Sequence, residues 1–368
     1  MIKYMRIENF KSIRKMNLGL GSLNLLFGMN GMGKSSLMQT ILLSRQSYIK
    51  SGRMNMDQLY VNGDLIALGS SKDILCSNAE GNDISFVFAD TGDRVNRFVY
   101  RADFNSNTNN QLERTNKEEA VDYSSAIFQD EFIYISAEHL GPQRKYSYSR
   151  WDDQGINSIG VRGEYTVPFL AMYGDEISVP KELCDDKAKT NKLKDQVSSW
   201  MKRISPGVRL GTELLINDQE AKLNISYEGD RFVSDSYSPI NVGFGITYVL
   251  PLVVALLSAG KECLILIENP ESHLHPKGQS AMAELICKCA ARGTQIICES
   301  HSDHVINGVR VAVKDKLINH DDVTITFFSK DSHMNTEEKA IRIDKNGNLD
   351  NYPIGLLDEW GDLMAKLI

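Results

Sequence analysis

Eight consecutive residues, Gly28-Met29-Asn30-Gly31-Met32-Gly33-Lys34-Ser35, fit the spacing GxxxxGK[ST]. No other feature restricts the fold as much. A loop that wraps a polyphosphate with its own N–H groups needs glycine wherever a Cβ would collide. Such a loop also needs a strand before it and a helix after it, so that the helix N-terminus faces the anion. The flanks agree. Leu23-Asn24-Leu25-Leu26-Phe27 reads as a buried strand running into a turn at Gly28, and Leu37, Met38, Ile41 and Leu42 recur at helical spacing between Lys34 and Gln46. In that setting Lys34 is expected to reach the β- and γ-phosphates of a nucleotide and Ser35 to ligate Mg²⁺, with Gly28, Asn30, Gly31, Gly33 and Ser36 completing the cradle. The alternative is a glycine-rich turn that holds nothing, and the strand–loop–helix context speaks against it.

A second acidic element follows much later. Leu264-Ile265-Leu266-Ile267-Glu268 is an apolar strand that delivers acids at its C-terminal end, where open α/β sheets bind their ligands. Mg²⁺ takes hard oxygen ligands, and Glu268 is placed for the metal. Asn269 follows it, and an amide orients water but cannot accept its proton; Glu271 is the nearest replacement base. His273-Leu274-His275-Pro276 comes next, and Glu299-Ser300-His301-Ser302-Asp303-His304 after a further strand. His-x-His and His-x-x-His pairs are a weak zinc signal without a third anchored ligand. His301, at a strand end, fits a γ-phosphate contact better, whereas Asp303 and His304 read as helix-start polar residues.

Elsewhere the pattern is of strands alternating with helices. Strands are expected over residues 2–7, 85–88, 97–100, 132–135, 263–267, 294–298 and 323–328, and helices from Asn241 to Ala259 and from Lys277 to Ala291. A charged helix is expected from Asp185 to Arg203, stopped by Ser205-Pro206-Gly207, and a polar loop or insertion from Asn105 to Asp122. Together these imply an α/β fold with a mostly parallel, doubly wound sheet. Three segments follow: a β-rich N-terminal lobe over 1–104 that carries the phosphate loop, a compact, partly helical inserted lobe over 105–205, and a C-terminal lobe over 206–368.

Charge and cysteines narrow the setting. The net charge of −7 argues against a wholly basic nucleic-acid coat, but residues 1–60 hold nine Lys/Arg against two acids, a balance of +7 that leaves −14 for the remainder. A basic end around a phosphate site accounts for this, and DNA stays open as a partner. The run Gln143-Arg144-Lys145-Tyr146-Ser147-Tyr148-Ser149-Arg150-Trp151 interleaves bases with aromatics, as a single-strand surface does, although a solvated loop is the plainer reading. Cys76, Cys184, Cys263, Cys287, Cys289 and Cys298 show no CxxC spacing and read as reduced thiols of a cytoplasmic protein. No basic start joins an apolar core at the N-terminus, and Val249–Ala259, interrupted by Pro251, is too short to cross a bilayer.

Taken with Ile7-Glu8-Asn9-Phe10-Lys11-Ser12, Asn62-Gly63-Asp64-Leu65, Gly163-Glu164-Tyr165-Thr166, Asn241-Val242-Gly243-Phe244-Gly245 and Ile354-Gly355-Leu356-Leu357-Asp358-Glu359, these elements resemble the SMC-like ABC-type ATPases. The branch is the one near the RecF and OLD proteins, and within it AAA-family ATPases with a DUF-type C-terminal region, often found beside anti-phage genes. The resemblance implies an ABC-type P-loop NTPase that binds ATP and Mg²⁺ and dimerises head to tail, alone or as a higher assembly of dimers. It makes Gly243, Phe244 and Gly245 the signature that meets the other subunit's ATP, Leu274-His275-Pro276 the D-loop and His301 the switch histidine. It also sets Asn269 where most relatives carry the catalytic glutamate, which predicts slow hydrolysis.

Several functions fit this much. One is a motor or clamp acting on DNA, of the RecF/SMC type in repair. Another is a nucleotide sensor whose closed dimer controls a separately encoded effector, such as a nuclease, in anti-phage defence; Asn269 favours it. A nuclease fusion of the OLD kind needs a further acidic metal cluster after the ATPase, for which the sequence up to Ile368 leaves no room. A membrane transporter subunit fits least, because the insertion and C-terminus resemble the SMC-like branch.

Overall fold

The computed structural model describes residues 1–92, 94–102, 110–148, 159–229, 232–357 and 365–367. Its first strands are β1 (Ile2–Phe10), β2 (Ile13–Gly19), β3 (Leu23–Phe27), β4 (Gln58–Tyr60), β5 (Asp83–Asp90), β6 (Val95–Arg101) and β7 (Gln111–Arg114). Those that follow are β8 (Phe132–Ile135), β9 (Tyr146–Ser147), β10 (Val208–Leu215), β11 (Glu220–Tyr227), β12 (Leu264–Glu268), β13 (Gln295–Glu299), β14 (Val323–Lys330) and β15 (Thr336–Ile341). The helices are α1 (Lys34–Lys50), α2 (Ser71–Ile74), α3 (Thr166–Tyr173), α4 (Leu193–Ile204), α5 (Phe244–Ser258), α6 (Pro276–Ala291) and α7 (Asp303–Lys314). The chain divides into two compact units, one of Met1–Phe132, Asp321–Asp344 and Asn348–Ile368, the other of Ile133–His320 and Lys345–Gly347.

In the first unit an antiparallel sheet runs in the order β2-β1-β5-β6-β7-β4. Its inward positions are the apolar ones of an alternating pattern: Ile2, Met5, Ile7 and Phe10 on β1, Ile84, Phe86 and Phe88 on β5, Phe98 and Tyr100 on β6 are all buried. Phe10 meets Phe86 edge-on at 5.4 Å, the offset geometry that ring quadrupoles prefer. Beside it β14 pairs parallel with β3, Val323 opposite Leu23 through Phe327 opposite Phe27, and β15 closes that edge antiparallel. All five residues of β3 are buried, and so is most of α1, including Leu37, Met38, Ile41, Leu42 and Leu43.

In the second unit β12 and β13 pair parallel, Leu264 opposite Gln295 through Glu268 opposite Glu299, with β8 on the far side of β12. These are continuous apolar runs because both faces of the strands are covered. Helix α5 is apolar all round, buries eleven of its fifteen residues, and keeps Pro251 in its interior. A three-stranded antiparallel sheet, β10-β11-β9, completes this unit. The α/β fold with parallel core strands and a β-rich N-terminal lobe is therefore present as expected.

Local expectations needed correction in two places. The helix expected from Asp185 begins only at Leu193, because residues 185–192 are held as turns: the Ser199 hydroxyl bonds to the Asp185 carboxylate and Ala188 N donates to Asp185 O at 3.0 Å. The polar stretch 105–122 contains β7, whose Leu112 and Arg114 are buried against the sheet; residues 105–109 of it lie outside the described residues. In the basic–aromatic run, Tyr146 is buried in β9 and Lys145 pairs with Glu220 at 2.5 Å, which fits a folded edge better than a stacking platform; residues 149–151 lie outside the described residues.

Candidate nucleotide site

The phosphate loop belongs to the first unit. The chain leaves β3 at Gly28, where φ is +136°, and a Cβ there would stand 2.4 Å from the Phe328 carbonyl oxygen of β14. Both facts demand glycine. Gly33, at φ +103°, caps α1, and a Cβ there would meet Thr336 Oγ1 of β15 at 2.3 Å. Gly31 also has positive φ, +78°, yet among the described residues, its chain neighbours aside, no atom lies within 4 Å of where its Cβ would be. Its side of the loop faces open space, with Asn30 exposed beside it.

Lys34 is only 3% exposed, and its ammonium donates to Gly28 O at 2.8 Å and Met29 O at 2.9 Å. The loop thus curls round a buried cation, an arrangement that suits a polyanion. The first turn of α1 carries no acidic residue, and Gly33 supplies no side-chain cap, so the positive end of a seventeen-residue helix points at the loop undiluted. Ser35 is half-buried and Ser36 is buried on that turn. Three glycines, a buried lysine and an acid-free helix start fit a nucleotide polyphosphate.

The other candidate residues sit together in the second unit. Glu268 ends β12, and its carboxylate accepts from Tyr134 OH at 3.1 Å and from Ala137 N at 2.9 Å. Burial raises its pKa, the nearby Glu299 adds to the rise, and the two donors oppose it. Each oxygen keeps a further lone pair, and a carboxylate is a hard donor suited to Mg²⁺. Asn269 takes the left-handed region, φ +49°, with its N–H on Glu299 O at 2.9 Å. Its Oδ1 is buried and has no hydrogen-bond partner among the described residues.

Glu271 accepts from Ser300 Oγ at 2.9 Å and from His301 N at 2.7 Å; burial raises its pKa and these donors counter it. His301 is partly exposed, with Nε2 3.9 Å from Glu299 Oε1. The other histidines of these two motifs make local contacts. His275 caps α6, His273 packs on Tyr248 with ring centres 4.5 Å apart, and His304 lies beside Asp303. Among the described residues no group of three His, Cys, Asp or Glu side chains is arranged to hold a metal ion.

Gly243 caps α5 with nothing among the described residues within 4 Å of a Cβ position, and Phe244 is 59% exposed next to it. Gly245 differs: a Cβ would stand 2.4 Å from His273 O, so the start of α5 rests directly on the segment before α6. The structure also brings in residues that the sequence reading passed over. Tyr134 and Ala137 hold Glu268, and His139 stacks on Tyr248 at 5.3 Å while its Nδ1 bonds to Tyr248 O at 2.7 Å. The available signal was their place in or just past the strand Phe132–Ile135, at the carboxyl edge where α/β sheets bind ligands.

A complete phosphate loop on an α/β fold is the mark of a nucleotide-binding P-loop domain. Residues 23–307 match the family described as "AAA domain, putative AbiEii toxin, Type IV TA system", and the chain belongs to that family. Residues 318–367 match "Protein of unknown function (DUF3696)". Among solved structures the chain is similar to an Smc head bound to the C-winged helix domain of ScpA, at 14% identity and TM-score 0.53, covering 94% of this chain and 98% of that one. It is also similar to the Smc head of Pyrococcus furiosus with an extended coiled coil, bound to the C-terminal domain of ScpA, at 14% identity and TM-score 0.50, covering 100% and 99%. Likeness at this identity speaks to fold. No curated protein matches the chain. Among the described residues no helix is long and apolar enough to cross a membrane.

Proposed function

We propose that this protein binds ATP with Mg²⁺, closes as a head-to-tail dimer around it, hydrolyses it slowly, and uses the closed state to control a separately encoded effector. The observation that carries the reading is the buried Lys34 inside a loop whose Gly28 and Gly33 admit no other residue. Lys34, Gly28, Asn30, Gly31, Gly33 and Ser36 would hold the phosphates, and Ser35 and Glu268 the metal. When bound, Mg²⁺ neutralises charge on the β- and γ-phosphates. Gly243, Phe244 and Gly245 would face the partner's nucleotide, and His301 the γ-phosphate.

Slow turnover follows from Asn269. Its amide oxygen, without a partner among the described residues, can accept a hydrogen bond from water and so orient it, but cannot take the proton away. The family description, which speaks of a toxin and a toxin–antitoxin system, supports a paired-gene effector and a role in defence. Steady-state turnover of the native protein and of Asn269→Glu tests the rate assignment. General-base help is worth roughly 10²–10⁴ in rate, so Asn269→Glu is expected to speed hydrolysis by about tenfold or more, allowing for imperfect placement. A native enzyme that turns over briskly and is slowed by this substitution would contradict the sensor reading.

A further inference from the structure

Glu271, the loop after β13 and the start of α6 are joined by a closed circuit of hydrogen bonds. Glu271 Oε2 accepts from Ser300 Oγ at 2.9 Å, and Ser300 Oγ in turn accepts from Ser302 N at 3.1 Å. Ser302 Oγ donates to Gln279 Oε1 at 2.5 Å and caps α7 by accepting from His304 N at 3.0 Å and Val305 N at 3.3 Å. Gln279 Nε2 donates to Leu274 O at 2.9 Å, and Leu274 N donates to Glu271 O at 3.1 Å, which closes the circuit. A branch runs from Glu271 Oε1 to His301 N at 2.7 Å. Ser300 and Ser302 are buried, so water does not compete freely for these links.

We propose that Glu271 is a positioning residue: through this circuit it fixes the backbone of His301 and locks the His301 loop to Leu274-His275-Pro276, so that the two segments shift as one body. Both carboxylate oxygens already serve donors of the His301 loop, one a main-chain N–H and the other a buried serine. Charge-assisted bonds of this kind hold geometry more firmly than neutral ones. Gln279 is the telling member. It lies on α6 and has no acid–base capacity, yet it links the Ser302 cap of α7 to the Leu274 carbonyl. The consequence rests on the ATPase reading above: contact of Leu274-His275-Pro276 with a second subunit would be felt at His301. The coupling itself does not rest on that reading.

Hydrogen exchange on the full chain, without nucleotide and with ATP, tests the coupling in the native protein, Glu271→Gln and Gln279→Met. Gln279→Met should make the amides of residues 300–302 exchange roughly three- to tenfold faster, and Glu271→Gln should do the same at 274–279, the scale of one lost hydrogen bond in a folded segment. Turnover should fall in both variants with ATP affinity unchanged, and the double variant should be no slower than the slower single one, because the circuit acts as a unit. The proposal is overturned if Glu271→Gln stops turnover while exchange at 274–279 and 300–302 stays native and Gln279→Met is silent; Glu271 is then the base. If Glu271→Gln does not fold, exchange at 300–302 in Gln279→Met decides alone. A native chain that fails to bind ATP defeats the functional reading and leaves the exchange test standing.

Discussion

Burial sets His139 apart from the other histidines. It is 5% exposed, stacked on Tyr248 and tied by Nδ1 to that residue's carbonyl, which requires a proton on Nδ1 and leaves Nε2 buried without a partner among the described residues. Burial lowers its pKa, and the nearby His273 acts in the same direction. In the unfolded chain the ring takes up a proton as pH falls through its ordinary value of about 6.5, while in the folded protein it does not. Its contribution is therefore greatest above that value and is lost as pH falls from there towards the lower folded pKa. The melting temperature of the native protein should drop more steeply between about pH 7.5 and 5.5 than that of His139→Phe, which keeps the stack and removes the titration. Parallel curves for the two proteins would rule out His139 as the source.

At the scale of elements, the two glycines of the α5 start separate two effects that the sequence merges. Replacing Gly245 would press a side chain into His273 O and disturb the protein's own fold. Gly243 has extended backbone, φ −60° and ψ 138°, and open space around it. Gly243→Trp should therefore leave stability within about 0.5 kcal/mol, as for surface changes generally, yet block ATP-dependent dimerisation in sedimentation with a slowly hydrolysed analogue. A Gly243→Trp protein that still dimerises with the analogue would remove this segment from the interface. The elements that position the site were legible for a physical reason. β3, β12 and β13 are covered on both faces and so appear as short, largely apolar runs, and α1 follows a loop whose Gly28, Gly31 and Gly33 have positive φ. The β10–β11 hairpin left no apolar run: only Val208 of β10 is buried, and its trace is the alternation of Ala221, Leu223 and Ile225 on β11, which the sequence reading did not use. Residues 185–192 read as helix because their turn depends on Asp185 meeting Ser199, fourteen positions away. The same limit applies at the acidic edge. Asn269 was visible as an amide, but its left-handed backbone and the bonds that occupy Glu271 depend on β13 and the loop beyond it, which no local pattern encodes.

Across the whole molecule, the bases of residues 1–60, whose excess a phosphate site accounts for while DNA stays open as a partner, mostly have partners within the chain. Arg6 pairs with Glu8, Arg14 with Glu80 and Arg53 with Asp130, while Arg45 is buried on the carbonyls of Ile127 and Gln129 and Lys34 is enclosed by the phosphate loop. A groove that tracks a phosphate backbone needs its cations exposed and uncommitted. On the reading proposed above, ATP is the anion that the Lys34 loop receives. Equilibrium binding of labelled ATP to the native protein and to Lys34→Ala, both verified as folded by thermal melting, addresses that claim most directly. Saturable binding by the native protein, weakened by roughly a hundredfold or more when the charged donor is lost, is the expected result; equal affinity in the two proteins, or no binding by the native one, would contradict it.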